Sequence, residues 1–171
     1  MQPVTFSPVG EAEIGIVRQL AHEIWWACYP GIISEAQIAY MLEWMYSEQA
    51  LQRDLARGVR YELLHLQGQP IGYFAYEESA AGQWKLQKLY LLPGFQGQGL
   101  GQAALQHIVT AVSAAGGHSL LLTVNKNNTR AIRAYERAGF QNRRSVVNDI
   151  GGGFVMDDFV MERALPVAVS T

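Results

Sequence analysis

The sequence has little of several residue types on which other classes of protein depend. Its single cysteine, Cys28, excludes an internal disulfide framework and a metal site built from cysteines alone. The four histidines never fall three or four residues apart, so they form no local metal motif. Charged residues make up only 16% of the chain, and no stretch is basic enough to bind nucleic acid. No apolar run approaches the ~20 residues of a membrane span. We therefore expect a cytoplasmic protein with no metal and with neither nucleic acid nor membrane as a partner.

Apolar residues are plentiful and follow regular spacings. They make up 49% of the 171 residues, enough for a buried core, and we expect a single domain over residues 1–171. Three helices are predicted before residue 58, the second of them capped by Ser34 with Gln37 at the capping-box position. A strand hairpin follows, then alternating strands and helices, and the continuous apolar run Ser119–Val124 predicts a strand buried on both faces. This order predicts an α/β fold with a mixed central sheet of about seven strands and helices on both faces.

A glycine-rich segment joins a predicted strand to a predicted helix. The strand ends at Pro93, and glycines follow at alternate positions, Gly97, Gly99 and Gly101, where the helix begins. Missing side chains let a phosphate approach the backbone, and the first N–H groups of a helix are free to bind it. No Lys-Ser/Thr pair follows, which excludes a Walker A loop, and the spacing is not that of a dinucleotide fingerprint. A tight turn with close helix packing is the alternative.

A second group of polar residues lies downstream, after a buried strand that ends at Asn125. Asn128 and Tyr135 fall on one face of the helix predicted over Asn128–Ala138. An amide and a phenol are thereby aligned for binding or catalysis. The alternatives are a helix N-cap for Asn128 and a core aromatic for Tyr135.

Together these segments resemble the GNAT superfamily of acyl-CoA-dependent N-acetyltransferases. The family's pyrophosphate motif, Gln/Arg-x-x-Gly-x-Gly/Ala, is matched by Gln96, Gly99 and Gly101. Its second motif is matched by Asn128, Ala131, Tyr135, Gly139 and Phe140. The resemblance implies the GNAT fold, in which the sheet is splayed between its fourth and fifth strands. The segments Trp25–Ile33 and Asp149–Asp158 also resemble, more weakly, bacterial PaiA-like polyamine acetyltransferases.

The resemblance implies acetyl-CoA as the co-substrate. The pyrophosphate would bind the loop formed by Gln96, Gly97, Gln98, Gly99, Leu100, Gly101 and Gln102. Backbone groups of Leu91 and Leu92 would hold the pantetheine arm, and one of their N–H groups would bind the thioester oxygen. Asn125 and Asn128 are assigned to cofactor binding, with Asn128 on the amide arm. Tyr135 would bind the cofactor and protonate the departing CoA thiolate as the catalytic acid.

The acceptor implied by the resemblance is an amine that must lose a proton before it attacks, because an alkyl ammonium has a pKa of ~10.4. Many family members use a glutamate on the strand that leads into the glycine loop. This strand has Lys85, Gln87 and Lys88 instead, so the base is left open. The substrate-binding candidates are Trp25, Trp26, Tyr29, Asp157 and Asp158. Strand alternation puts the two aspartates on opposite faces; a bulge that exposes both is the alternative.

The function predicted is therefore acetyl transfer from acetyl-CoA to a primary amine, with a small molecule such as a polyamine as acceptor. Acetylation of a protein N-terminus or lysine is an alternative within the same chemistry. A regulatory module that binds acyl-CoA without turnover is an alternative from another class. The oligomeric state is left open, with a homodimer among the options.

Overall fold

The computed structural model describes residues 3–166, and the predicted mixed α/β fold is confirmed. The strands are β1 (Val4–Pro8), β2 (Arg60–Leu66), β3 (Gln69–Ala80), β4 (Gln83–Leu91), β5 (Ser119–Asn125), β6 (Gln141–Gly151) and β7 (Phe154–Ala164). The helices are α1 (Ile14–Cys28), α2 (Glu35–Tyr46), α3 (Glu48–Ala56), α4 (Leu100–Ala114) and α5 (Thr129–Arg137). In this part of the chain, no helix has both the length and the apolar composition that crossing a bilayer requires.

The seven strands form one sheet in the order β1-β2-β3-β4-β5-β7-β6. β4 and β5 are parallel, whereas β1 with β2, β2 with β3, β5 with β7 and β6 with β7 are antiparallel. The parallel pairing joins Gln83–Leu86 to Ser119–Leu122. Both strands continue past their last paired residue, so their pairing stops before either strand ends.

The backbone divides into two compact units. The first consists of the described residues up to Tyr76 together with Lys88–Ala103. The second consists of Glu77–Gln87 and the described residues from Ala104 onward. The single domain expected from the sequence stays a prediction.

In the first unit, helix ends are fixed by the side chains that the sequence provides. Ser34 Oγ accepts a hydrogen bond from the N–H of Gln37 at 3.1 Å, and this starts α2 as predicted. Ser47 does the same for the N–H of Ala50 at 3.2 Å and so starts α3. Helix α1 packs against both of these helices. Its inward stripe includes Ile24, which is fully buried.

A polar network is buried within this first unit. The Lys88 ammonium donates to the Tyr61 hydroxyl at 2.6 Å and lies 4.3 Å from the centre of the Tyr46 ring. Tyr61 in turn donates to Asp54 at 2.5 Å, and Asp54 lies 3.8 Å from the ammonium. Burial lowers the pKa of Lys88 to about 8, although the Asp54 carboxylate acts in the opposite direction. Tyr46 also accepts a hydrogen bond from Tyr73, so each of these buried polar groups has a partner.

In the second unit, the two faces of β5 are buried to different extents. Leu120, Leu122 and Val124 are buried, whereas Leu121 and Thr123 on the other face are half-buried. Ser119 is buried too, and its hydroxyl donates to Glu162 at 2.6 Å. The run predicted to be buried on both faces is therefore fully buried on one face and partly covered on the other.

Candidate active site

The glycine loop has a backbone shape that few other residues could adopt. Gly97 and Gly99 have φ angles of +76° and +80°, in the left-handed region that strains a residue with a Cβ. Helix α4 starts directly afterwards at Leu100, and the N–H of Ala103 closes its first turn onto the carbonyl of Gly99 at 3.1 Å. Because a helix leaves its first N–H groups without partners inside the helix, the N–H groups of Leu100 and Gly101 lie where a helix start can bind an anion. The loop thus has the backbone shape of a helix-start anion site.

Two glutamine side chains hold this loop in place. Gln96 Nε2 donates to the carbonyl of Leu91 at 3.0 Å and lies 3.4 Å from the Cys28 sulfur. Gln98 Nε2 donates to the carbonyl of Gly94 at 3.0 Å. Each side chain thus bonds to the first unit's own backbone. We infer that the two glutamines shape the loop and that its backbone N–H groups serve as the anion donors.

At the end of β4, the backbone N–H groups of the two residues predicted to bind the thioester point in opposite directions. The N–H of Leu92 donates to the carbonyl of Ile71 on β3 at 2.9 Å, so it is already in use. Successive peptide groups of a strand point to opposite sides, so the N–H of Leu91 points away from β3. Of the two candidate donors for the thioester oxygen, the structure therefore leaves Leu91.

An aromatic cluster in the first unit contains two of the predicted substrate residues. Trp25 is 1% exposed and stacks on Tyr29 with ring centres 4.3 Å apart. The hydroxyls of Tyr29 and Tyr90 are 3.1 Å apart, and the Tyr90 ring also lies 5.6 Å from Trp25. Trp26, in contrast, is 41% exposed. Sequence reasoning missed Tyr90, although its place on β4, one residue before Leu91, could have marked it.

In the second unit, both predicted asparagines shape the turn between β5 and α5. Asn125 Oδ1 accepts from the N–H of Asn127 at 2.9 Å. Asn128 Oδ1 accepts from the N–H of Ala131 at 3.2 Å and is the N-cap of α5, the alternative foreseen from the sequence. Capping uses only the amide oxygen, so it leaves the Asn128 –NH₂ group as the donor for a ligand.

Tyr135 lies on the last turns of α5 and is half-buried. Its ring packs edge-to-face on Phe140 with ring centres 5.6 Å apart. Phe140 is itself held by a hydrogen bond from its N–H to the Tyr135 carbonyl at 3.0 Å. The two aromatic residues of the second sequence motif are therefore in contact, and Phe140 orients the phenol.

The two neighbouring aspartates of β7 have opposite environments. The Asp157 side chain is 54% exposed and forms an ion pair with Lys126 at 2.6 Å. Asp158 is only 2% exposed and lies opposite Asn125 on β5. Burial raises the pKa of Asp158 to about 6, with a further contribution from Asp157 that Lys85 and Lys126 oppose. The predicted alternation is confirmed here, and the bulge that would expose both carboxylates is absent from the described register of β7 at these residues.

A further carboxylate, Glu77, lies beside β4. Gln87, which occupies the strand that carries a glutamate in many family members, donates from Nε2 to Glu77 Oε1 at 2.6 Å. This carboxylate is therefore already bonded within the second unit.

The comparisons with known proteins agree with these features. The family model described as "Acetyltransferase (GNAT) family" matches residues 18–140. An uncharacterised N-acetyltransferase of Mycobacterium tuberculosis is 37% identical over 99 residues, which are 57% of this chain and 62% of that relative. The ribosomal protein bS18-alanine N-acetyltransferase of Escherichia coli is 33% identical over 85 residues, 49% of this chain and 57% of that enzyme. The chain thus spans less than two thirds of either relative.

A solved structure agrees over nearly the whole chain. The PaiA N-acetyltransferase of Thermoplasma acidophilum, crystallised in complex with coenzyme A, superposes with a TM-score of 0.80 at 22% identity. The superposition covers 95% of this chain and 99% of that one, and it shows the same fold. With the family model matching most of the chain, this protein belongs to the GNAT acetyltransferase family.

Proposed function

We propose that this chain is a single N-acetyltransferase domain that transfers an acetyl group from acetyl-CoA directly to a primary amine. The observation that carries the proposal is the glycine loop, whose left-handed Gly97 and Gly99 and following helix start offer backbone N–H groups to an anion. The CoA bound by the similar PaiA structure supports the choice of cofactor. Acetyl-CoA supplies the activated acetyl group; the steps below concern the residues of this chain.

Each proposed role is assigned to a named backbone or side-chain group of this chain. Residues 97–102 bind the pyrophosphate through their backbone, while Gln96 holds the loop to the strand end. The Leu91 N–H stabilises negative charge on the thioester oxygen. Asn125 holds the turn before α5, and the –NH₂ group of Asn128 binds the amide arm. Tyr135 gives its hydroxyl proton to the CoA thiolate as it leaves.

For the acceptor, we propose a small primary amine and place polyamines first. Trp25, Trp26 and Tyr29 are proposed to cover its aliphatic part, and carboxylates of β7, Asp157 and Asp158, to attract its positive charge. A protein N-terminus is the second candidate, and the similarity to the bS18-alanine N-acetyltransferase favours it. A cytoplasmic location fits either acceptor.

Steady-state assays of CoA release would test the proposal. The acceptors would be polyamines, amino acids, aminoglycosides and peptides with N-terminal alanine. We expect turnover with a primary aliphatic amine, and a rate that increases toward pH 8–9 as the amine loses its proton. Tyr135→Phe keeps the ring against Phe140 and removes only the proton, so kcat should fall roughly 10²-fold.

Two controls make this result specific. Tyr40→Phe removes a hydroxyl from a residue of α2 that has no proposed role and should leave kcat unchanged. Calorimetry should give both variants the wild-type affinity for acetyl-CoA. Tight binding of acetyl-CoA without turnover of any acceptor would instead identify a regulatory acyl-CoA-binding module.

A further inference from the structure

Asp158 differs from the other buried polar side chains. Three polar or charged residues are buried among residues 3–166: Lys88, Ser119 and Asp158. Lys88 and Ser119 each form a hydrogen bond of 2.6 Å, whereas no hydrogen bond or ion pair links the Asp158 carboxylate to any residue of that range. A buried carboxylate without a hydrogen-bond partner lowers the stability of the folded protein. Its presence here therefore indicates a role other than packing.

The sheet places Asp158 beside the end of β5. It pairs with Asn125, the last residue of β5, and directly opposed residues of antiparallel strands point to the same face. Lys85 of β4 points to that face as well, since it pairs with Leu121, four residues before Asn125. The described pairing of β4 with β5 has already ended at Leu122, so Asp158 stands where β5 has lost its parallel neighbour.

The charged groups around Asp158 leave its carboxylate unneutralised. Asp157, its neighbour on β7, is bound by Lys126 at 2.6 Å, and this lysine therefore has its own partner. Lys85 acts on Asp158 through space and forms no ion pair with it. On β6 the opposite residue is Val146, which is apolar. The pKa of Asp158, raised to about 6, leaves the carboxylate ionised at neutral pH yet more basic than an exposed aspartate.

Resting on the acetyl transfer proposed above, we propose that Asp158 is the general base that accepts the proton of the acceptor amine, directly or through one water molecule. The ammonium first releases one proton to solvent. The neutral amine then forms the C–N bond to the thioester carbon, and the proton it still has to lose passes to Asp158. The C–S bond breaks, and the sulfur takes a proton from Tyr135. Transfer of one proton from Asp158 through solvent to Tyr135 restores both groups, and the products are the amide and CoA thiol.

The other carboxylates nearby are less suited to this step. Asp157 is exposed and its carboxylate is already paired with Lys126. Glu77 already accepts a hydrogen bond from Gln87 at 2.6 Å. Asp158 alone of the three combines burial with a free acceptor oxygen.

Three matched variants test the assignment: Asp158→Asn, Asp157→Asn and Glu77→Gln. Each replaces a carboxylate by its amide. At saturating acceptor and acetyl-CoA, we expect Asp158→Asn to lower kcat roughly 10²-fold and Glu77→Gln, the control, to change it by less than about threefold. Asp157→Asn, which removes a carboxylate proposed to attract the acceptor, should raise the acceptor KM. Below pH about 6, wild-type kcat/KM for the acceptor should fall as two groups take up a proton, the amine and Asp158. In Asp158→Asn, kcat/KM should fall as only the amine takes up a proton.

A spectroscopic measurement gives a second readout that does not depend on turnover. With carboxyl-labelled aspartate, carbon NMR should show one resonance that titrates near pH 6 in the wild type, that titrates at a lower pH in Asp157→Asn because this variant loses a charge that raises the Asp158 pKa, and that is missing in Asp158→Asn. Calorimetry should give all three variants the wild-type affinity for acetyl-CoA.

The outcomes separate this assignment from the proposed function. If Asp158→Asn keeps the wild-type kcat and pH profile, the base lies elsewhere. If only the acceptor KM rises, Asp158 binds the cation and is not the base. In both cases the acetyl transfer itself stands. If the wild type acetylates no amine in the panel, the proposed function fails and the role of Asp158 fails with it.

Discussion

Among residues 3–166, each unit of this protein buries one charged side chain, and the two differ in their partners. Lys88 in the first unit donates to Tyr61, faces the Tyr46 ring and lies 3.8 Å from Asp54. Asp158 in the second unit is more deeply buried, at 2% against 8% exposure, and has no such partner among residues 3–166. Burial shifts both pKa values toward neutrality, down to about 8 for Lys88 and up to about 6 for Asp158.

The difference separates a buried charge that is satisfied within the fold from one that is not. A charge that is enclosed with its partners is part of the packing, and its loss should change stability. A charge that is enclosed without partners lowers stability, so retaining it implies a use. The burial of a charged side chain thus has different consequences in the two units. Measurements of stability against pH can distinguish these consequences.

The largest expected effect comes from opening the Lys88 network. Asp54→Ala removes the carboxylate beside a buried ammonium and the acceptor of the Tyr61 hydroxyl. We expect the free energy of unfolding at pH 7 to fall by about 3–4 kcal/mol, as is typical when a buried charge loses its partner. The loss should shrink above pH about 8, where Lys88 becomes neutral. Urea unfolding of Asp54→Ala, Lys88→Met and the double variant would measure the coupling, and additive losses would show that the network has no cooperative role.

An effect of opposite sign is expected at Asp158. Its pKa is higher in the folded state, about 6, than the ordinary 3.8, so the folded protein binds the proton more tightly. Wild-type stability should therefore fall as the pH rises from about 4 to about 6 and stay lower above that window. Asp158→Asn removes this loss, and we expect it to stabilise the protein by about 3 kcal/mol at pH 8 and by nothing at pH 3.5. Thermal or urea unfolding across this range measures it.

The neighbouring aspartate provides the control for that measurement. Asp157→Asn removes only an exposed ion pair, so the unfolding free energy should change by less than about 0.5 kcal/mol at any pH. Equal pH profiles for the two variants would contradict the contrast between a buried and an exposed carboxylate.

Apart from that control, the smallest effect at pH 7 is expected from Lys88→Met. The methionine gains by removing a buried charge and loses the bond to Tyr61, so stability at pH 7 should stay within about 1 kcal/mol of the wild type. The folded pKa of Lys88 lies below the ordinary 10.5, so wild-type stability should increase as the pH rises from about 8 to about 10.5. Lys88→Met should lack this increase. A loss of more than about 3 kcal/mol at pH 7 would instead make the ammonium itself a net source of stability.

Much of the fold follows from local pattern, because each element has its own signal in the chain. Ser34 with Gln37 predicted the start of α2, and the glycines after Pro93 predicted a strand-to-helix turn that has left-handed residues. Where the sequence allowed two interpretations of one residue, the local sequence did not decide between them. Asn128 is the N-cap of α5 through its amide oxygen, and its cofactor-binding role, which would use the –NH₂ group, stays a prediction. The buried Lys88 was missed, although alternation along β4 puts it on the same face as the buried Trp84 and Leu86.

The sequence by itself determined the order of strands and helices, the shape of the phosphate loop and the family, because these depend on residues close together in the chain. Only the tertiary structure decided between neighbours that look alike locally. In the folded chain, the N–H of Leu92 bonds to Ile71 and the N–H of Leu91 points away from β3. Asp157 pairs with Lys126, whereas Asp158 is buried opposite Asn125. Adjacent residues of a strand point to opposite sides, so their environments are set by whichever strands lie beside them, and no local pattern specifies those neighbours.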